Sequence, residues 1–265
     1  MECKLDLTVS CREGRSYARD VYAGKPFRVV SVGQYATDNA LHLMLMSVSP
    51  GILDGDHYDI RISLEEDARL QLEAQSYQRI YHMNGRATQQ MVVTLARGSD
   101  FSFIPYPVVP HKNSTFVSKT SVVLHPEASF LVGEIITCGR RLSGEVFEYA
   151  HFQNLVEVHN HEGRLLLKDN VMLVPSLMPL SGIGLLEGHT HQGTLVYLAK
   201  AGETVEPLIE NLHEKLGTEE DIVYGISKTR HPGFVLRVLG GGGEQLYRCF
   251  EEAKNLIWET KNSHL

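Results

Sequence analysis

The stretch ISLEEDARLQL at residues 62–72 recurs twice along the chain, as VTLARGSDFSF at residues 93–103 and as VVLHPEASFLV at residues 122–132. Each copy consists of a segment with alternating apolar positions, a three-residue turn, a small residue and a second alternating segment. Alternation with a period of two predicts β-strands that bury one face. The copies are offset by 31 and 29 residues, and a repeat of about 30 residues indicates stacked coils or hairpins that share one core.

Similar short alternating segments, separated by turn residues, fill most of the first 200 residues. A looser fourth copy, VEVHNHEGRLLL, begins at Val156. We therefore predict a mainly β fold, built as a β-helical or solenoid-like stack of short strands. A β-sandwich remains the alternative, because a β-meander also produces echoes of this kind.

Two late segments change to a helical period. In TVEPLIENLHEKLG, at residues 204–217, the apolar residues fall on one face, Pro207 lies in the first turn and Gly217 can cap the end. A second apolar stripe runs from residue 244 to residue 261. These two segments predict two α-helices near the C-terminus. Because no low-complexity linker divides the chain, we predict a single domain over residues 1–265.

The composition excludes several classes of protein. The 265 residues carry a formal net charge of −7 and no Lys/Arg-rich run, which argues against nucleic acid as the main partner because phosphate binding needs concentrated positive charge. A cation or a basic protein is a more suitable partner for a chain with this negative charge. The four cysteines form no CxxC pair, the N-terminal segment does not resemble a signal peptide, and no apolar run is long enough to span a bilayer. We therefore expect a cytoplasmic protein with reduced thiols, neither exported nor embedded in a membrane.

Thirteen histidines include two HxH pairs, His159 with His161 and His189 with His191. Residues two apart on a strand face the same side, so such a pair can present two imidazoles to one metal ion. The residues that follow either pair lack the further Glu and His of a cupin-type site, and the Glu-Gly after the first pair predicts a hairpin turn. Surface or hydrogen-bonded histidines are therefore the alternative to a metal site.

Motifs of enzymes are few. The run of four glycines at residues 240–243 is not followed by the Lys-Ser or Lys-Thr of a phosphate-binding loop, and no GxSxG nucleophile motif occurs. We predict a flexible turn before the last helix at this run. Nothing in these motifs requires an enzyme.

Acidic residues that follow glycines are stronger candidates for a functional role, namely Asp56, Glu134 and Glu145. A carboxylate is costly to bury without a cation or a basic partner, and oxygen ligands suit a hard or borderline cation. Arg140 lies between the last two acids in the sequence. The residues therefore allow two interpretations, a polar passage for a cation or an internal ion pair with Arg140 that ties neighbouring coils together.

An ordered set of short blocks resembles the UreD family of urease accessory proteins, called UreH in some organisms. The blocks are SPG at 49–51, GD at 55–56 with IRISL, QS at 75–76 with IY at 80–81, PYP at 105–107 with VVP, GEIITCGRRLSGEVFEY at 133–149, GRLLL at 163–167 and GHTH at 188–191. The pattern GRxxxGExFxY at residues 139–149 is the most specific. Matched blocks run from about residue 45 to residue 195, and the first 40 residues match only loosely.

This resemblance implies a function and a fold. The family consists of non-catalytic scaffolds that support GTP-dependent nickel insertion into the urease apoprotein, in a complex with UreF and the GTPase UreG, and we expect this chain to be dimeric within that complex. Family members are β-helical with a pair of helices, bind no cofactor tightly, and pass nickel only transiently, with an internal tunnel as the suggested route.

The resemblance also implies roles for individual residues. Asp56, Glu134 and Glu145 would line or gate the polar route, and Arg140 would tune their charge. His189 and His191 are secondary metal candidates, and the family-motif residues with structural roles are Gly55, Gly139, Gly144 and Phe147. The chain departs from the family in a shortened glycine-rich stretch before Gly55, in Arg79 where Lys is usual, and in Gly133 where a bulky aromatic residue often precedes the Glu. Two rival hypotheses are an HxH-type metalloenzyme and a purely structural adaptor without a cation route.

Overall fold

The computed structural model describes residues 1–33 and 38–262. Over these residues the chain forms seventeen strands, two α-helices, α1 (Glu206–Leu216) and α2 (Gly243–Asn262), and a short 3-10 helix at Arg141–Ser143. The strands are β1 (Glu2–Arg12), β2 (Arg15–Ala23), β3 (Phe27–Ser31), β4 (Leu41–Ser47), β5 (His57–Leu64), β6 (Arg69–Ala74), β7 (Gln78–Ile80), β8 (Ala87–Leu95), β9 (Asp100–Ile104), β10 (Val108–Pro110), β11 (Thr115–Leu124), β12 (Ser129–Thr137), β13 (His151–Asn160), β14 (Leu165–Leu173), β15 (His191–Leu198), β16 (Val223–Lys228) and β17 (Gly233–Gly240).

The strands form two sheets that pack face to face. The first sheet has the order β14-β13-β11-β8-β5-β1-β2, and the second has the order β16-β17-β15-β12-β9-β6-β4-β3. The central strands of each sheet pair in parallel, whereas the strands toward both ends pair antiparallel. The short strands β7 and β10 pair with each other, and β10 also pairs with β12.

The sequence repeat is the structural unit of the parallel region. The first half of each copy lies in the first sheet, where Ile62 pairs with Val93 and Val93 with Val122. The second half lies in the second sheet, where the rings of Phe101 and Phe130 stack with centroids 6.1 Å apart. The three-residue turn carries the chain from one sheet to the other, so equivalent residues of successive copies stack in register and bury a common apolar face.

The structure confirms a mainly β fold with two helices, both within the last 60 residues. It does not confirm a solenoid-like stack as a description of the chain, because both sheets are open and mixed, with antiparallel strands at their ends. The prediction of a fourth copy of the repeat, starting at Val156, is wrong. Val122 lies opposite Val158, not Val156, and the chain then turns back into β14 of the same sheet. The side chain of Asn160 accepts backbone hydrogen bonds from Glu162 and Arg164, which closes the predicted hairpin turn.

A second core forms between the outer face of the second sheet and the two helices. The ring of Phe250, on α2, fills the space left by Gly133 and Gly193, where a Cβ atom would lie 3.0 Å and 2.7 Å from the ring. The aromatic residue absent from position 133 is thus replaced by one from the last helix. None of the helices in the described ranges is long and apolar enough to cross a membrane.

Candidate functional site

A cavity of about 180 Å³ lies between the two sheets. Its walls combine apolar residues of the inner core, such as Met91 and Phe103, with polar side chains from both sheets. Besides Glu134, the polar residues of the lining that belong to β8, β11, β13, β14 and β15 include Gln89, Ser118, Thr120, Asn154, Asp169 and Thr194, and Arg79 and several Ser and Gln side chains line it nearer the mouth. An inter-sheet space with this many oxygen atoms differs from an ordinary apolar sandwich core, because buried polar groups are retained only where they have partners or water.

Glu134 is the acidic residue on the wall formed by the second sheet. It follows Phe130 and Val132 on the inward phase of β12, so the alternation of the strand directs its side chain between the sheets. The Glu134 side chain is half-buried, lines the cavity and is hydrogen-bonded to Asn154 on the opposite sheet. Burial raises the pKa of Glu134 to about 8, the Asn154 hydrogen bond opposes the rise, and the negative charge of Asp169 adds to it.

The mouth of the cavity lies among the loops at the ends of β4 and β6. Exposed Pro50 and Ser76 belong to its lining, and so do Tyr77 and Tyr106. These two tyrosine rings stack with centroids 6.0 Å apart, and Tyr106 stacks on Tyr247 of α2 at 4.5 Å. Burial and a hydrogen bond to a glutamate at the start of α2 raise the pKa of Tyr77 to about 12. The helix therefore braces the entrance.

Asp56 lies in the turn before β5 and does not line this cavity. Its Oδ2 accepts a hydrogen bond from the backbone N of Leu53 at 2.9 Å, and its Oδ1 accepts one from the amino group of Met1 at 3.1 Å. The contact with Leu53 closes the turn, and the contact with Met1 ties the turn to the start of β1. The structure thus gives this buried carboxylate a local partner at a distance from the cavity wall.

Glu145 and Arg140 are brought together, but outside the cavity. The guanidinium donates through Nε to Glu145 Oε2 at 3.0 Å and through Nη2 to Oε1, and the backbone N of Lys112 donates to Oε2 at 3.2 Å. The hydrogen bond from Arg140 is the main reason why the pKa of Glu145 falls to about 2. This geometry matches the second interpretation of the acids, an ion pair that ties neighbouring segments together.

The motif residues Gly55, Gly139, Gly144 and Phe147 share one property. Their φ angles are +75°, +116°, +82° and +55°, a region that side chains other than glycine rarely adopt. At Gly139 a Cβ would also lie 3.0 Å from the carbonyl oxygen of Pro110. The most specific sequence block therefore encodes a tight loop in which the Arg140–Glu145 pair is held.

The HxH pairs do not form the strand geometry that a metal site would use. His189 precedes β15, whereas His191 begins it, is buried, and contacts Thr190 Oγ1 through Nδ1 at 2.8 Å. Burial lowers the pKa of His191 to about 4, with a contribution from Arg141. In the first pair, His161 lies in the hairpin turn. Within the described ranges, no three His, Cys, Asp or Glu side chains are grouped so that they could hold a metal ion.

Sequence reasoning missed Asp169, Asn154, Thr194 and Arg237. In β14 the inward positions are Leu167, Asp169, Val171 and Leu173, so the acid interrupts an apolar alternation. An ionisable residue in the buried phase of a strand is a signal that could have identified it. In β17, with the sequence FVLRVLG, Arg237 likewise interrupts the apolar residues that face the inter-sheet space.

Comparisons with known proteins agree on one family. The model of the UreD urease accessory protein family matches residues 1–263, including the first 40 residues, where the sequence motifs are sparse. A protein from Flavobacterium johnsoniae named urease accessory protein UreD is 49% identical over 255 residues, covering 96% of this chain and 92% of the relative. Proteins of the same name from Acetivibrio thermocellus and Haemophilus influenzae are each 33% identical, over 97% of this chain and 97% and 99% of their own lengths.

Proposed function

Because this chain belongs to the UreD family of urease accessory proteins, we propose that it is a non-catalytic maturation factor that helps to insert nickel into the urease apoprotein. It acts in the cytoplasm in a complex with UreF and UreG, and GTP hydrolysis belongs to UreG. The cation passes through the inter-sheet cavity and is its cargo, not a resident cofactor.

The observation that supports this proposal is the carboxyl group of Glu134 on the cavity wall. A cavity that transfers a cation needs oxygen ligands without a closed cage, since strong ligands on all sides would prevent release. Glu134, with Asn154 and Thr194, supplies separated oxygen atoms of this kind. Thiolates are excluded from the lining, because none of the four cysteines belongs to it.

The raised pKa of Glu134 makes binding weak and reversible. With a pKa of about 8, only about one Glu134 in ten is ionised at pH 7, so an entering cation must displace a proton. This competition lowers the apparent affinity about tenfold at pH 7. A transfer route gains from such a carboxyl group, since it stays neutral while the cavity is empty and becomes a ligand when a cation arrives.

Glu134→Gln tests the proposal, since it removes the ionisable group and keeps the side-chain shape. Urease is produced in cells together with this chain and its accessory partners, purified, and assayed for nickel per active site. We expect nickel content and urease activity to fall at least severalfold. The matched control is Glu157→Gln, on the outer face of β13, where the carboxylate pairs with Lys119 and Lys168 at 2.8 Å and 2.9 Å.

Complex assembly separates the rival hypotheses. If Glu134→Gln leaves the co-purification of the accessory complex intact but lowers nickel content, the cavity serves transfer. Unchanged nickel content with an intact complex would refute the cation route and favour the structural adaptor. No contact of the described histidines favours the HxH metalloenzyme.

A further inference from the structure

A second depression, here called the outer groove, lies behind the cavity at the edge where the two sheets meet. It has a volume of about 470 Å³ and is lined by β14, by residues 184–186 and by parts of β15, β16 and β17. Consecutive residues of β14 lie on opposite sides of this edge, since Asp169 lines the cavity and Asn170 lines the outer groove. The two spaces are therefore lined by adjacent residues of one strand.

Arg237 connects the two spaces. Its side chain lines the outer groove, but both of its acceptors line the cavity: Nη2 donates to Asp169 Oδ1 on the first sheet, and Nη1 donates to Thr194 Oγ1 on the second sheet at 3.3 Å. The Asp169 side chain is 12% exposed and that of Arg237 is 49% exposed. The pair thus joins the edge strand of one sheet to the inner face of the other across the gap between them.

We propose that the Arg237–Asp169 pair is a gate that closes the cavity toward the outer groove, and that a divalent cation in the cavity favours its opening. The inference rests on the proposed function for the identity of the cation, but not for the existence of the gate. A cation beside Glu134 attracts the Asp169 carboxylate and repels the guanidinium, so both partners of the pair are drawn apart by the same charge.

Space for the open position is present beside Arg237. Gly225, on the neighbouring antiparallel strand β16, is paired with Arg237. Two residues paired in this way face the same side of the sheet. A Cβ atom at Gly225 would have no heavy atom within 4 Å. The side of β16 that faces Arg237 in the outer groove is therefore open at Gly225, and the guanidinium can move toward this space.

Thiol labelling measures the gate without nickel. Val156 lies opposite Asp169 in the register of β13 and β14 and lines the cavity. Val156→Cys therefore places a thiol of similar size in the cavity beside the Arg237–Asp169 pair. In the full chain, the rate of its reaction with a small methanethiosulfonate is followed by mass spectrometry of the peptide that carries it. We expect Arg237→Ala to increase this rate about tenfold. Loss of one charge-assisted hydrogen bond shifts the equilibrium between the closed and open positions by about an order of magnitude.

Three controls make the result specific. Ala74→Cys lines the same cavity from β6, beside the mouth, and its labelling should not change with Arg237→Ala. Arg61→Ala removes an exposed arginine from its pair with Asp59 on the outer face of β5, and should leave Val156→Cys unaffected. Gly225→Val fills the space beside Arg237 and should slow the labelling of Val156→Cys.

Two results would overturn the gate: an unchanged rate at Val156→Cys in the Arg237→Ala background, or an equal acceleration at Ala74→Cys, which would show general loosening. Addition of Ni²⁺ to the protein with Arg237 intact should accelerate labelling at Val156→Cys, and no acceleration would refute the cation-driven opening. The proposed function fails separately, if Glu134→Gln leaves urease nickel unchanged while Arg237→Ala still accelerates labelling.

Discussion

Replacement of Glu134 by Gln is expected to make the folded protein more stable, whereas the proposed function predicts that the same change lowers the nickel content of urease. The carboxyl group has its usual pKa of 4.5 in the unfolded chain and a pKa of about 8 in the folded one. Between these values the folded state binds more protons than the unfolded state, so the stability of the protein falls as the pH rises through this window. Below about pH 4.5 the group is protonated in both states and contributes no difference.

The size of the effect on the unfolding free energy follows from the difference between the two pKa values of Glu134. Each unit of pKa difference corresponds to about 1.4 kcal/mol, so the ionisable group destabilises the folded state by about 3 kcal/mol at pH 7 and by about 5 kcal/mol well above pH 8. Water in the cavity reduces these values. Gln has nearly the same volume and is neutral at every pH, and its amide can still hydrogen-bond with Asn154.

Urea unfolding of the two proteins at about pH 5.5, 7 and 8.5 tests this reasoning. The difference in unfolding free energy should grow from about 1 kcal/mol at the lowest pH to about 4 kcal/mol at the highest. In the control Glu157→Gln the difference should not depend on pH in this range, because the lysine partners lower the pKa of Glu157 to about 2 and it is ionised in both states. A difference in unfolding free energy between Glu134→Gln and the unmodified protein that does not change with pH would refute the raised pKa of this carboxyl group.

The remaining predictions concern packing and ion pairs. Gly193→Ala should lower the free energy of unfolding by about 1–3 kcal/mol in urea titrations, because its Cβ would lie 2.7 Å from the ring of Phe250, and Phe250→Leu in the same chain should recover part of the loss; full stability of Gly193→Ala would contradict the tight contact. Arg140→Gln should raise the pKa of Glu145 from about 2 toward 4.5, as measured by NMR titration of the carboxyl group, and an unchanged pKa would show that another group holds it. Lys261→Met should destabilise the protein by about 2–4 kcal/mol in thermal unfolding, because the lysine pairs at 2.8 Å with a buried aspartate of β9, and a loss below about 0.5 kcal/mol would mean that water replaces it.

The sequence predicted part of the candidate site. Glu134 was identified because a carboxylate beside a glycine on an apolar strand is costly unless it has a function or a partner. The same argument grouped it with Asp56 and Glu145, although the structure leaves the first in a turn and the second in an ion pair with Arg140. Sequence spacing could not separate the three, because which acid faces the inter-sheet space depends on the strand phase and on residues distant in the chain.

The sequence by itself determined the local elements of this protein. Period-two alternation defined the strands, the change of period defined α1 and α2, and the copies at residues 62–132 defined the register of the parallel strands. Each of these depends on which face of a short segment avoids water, a property of neighbouring residues.

Only the tertiary structure decided where the two sheets leave a polar space between them and which charged side chains meet at its edge. Arg237 and Asp169 are 68 residues apart in the chain, and no local pattern pairs them. Their contact exists because β14 ends one sheet while β17 lies near the end of the other, so two strand edges meet at one side of the sandwich. The partner of a buried charge is set by how the sheets stack, whereas its presence in the buried phase of a strand was readable in the sequence.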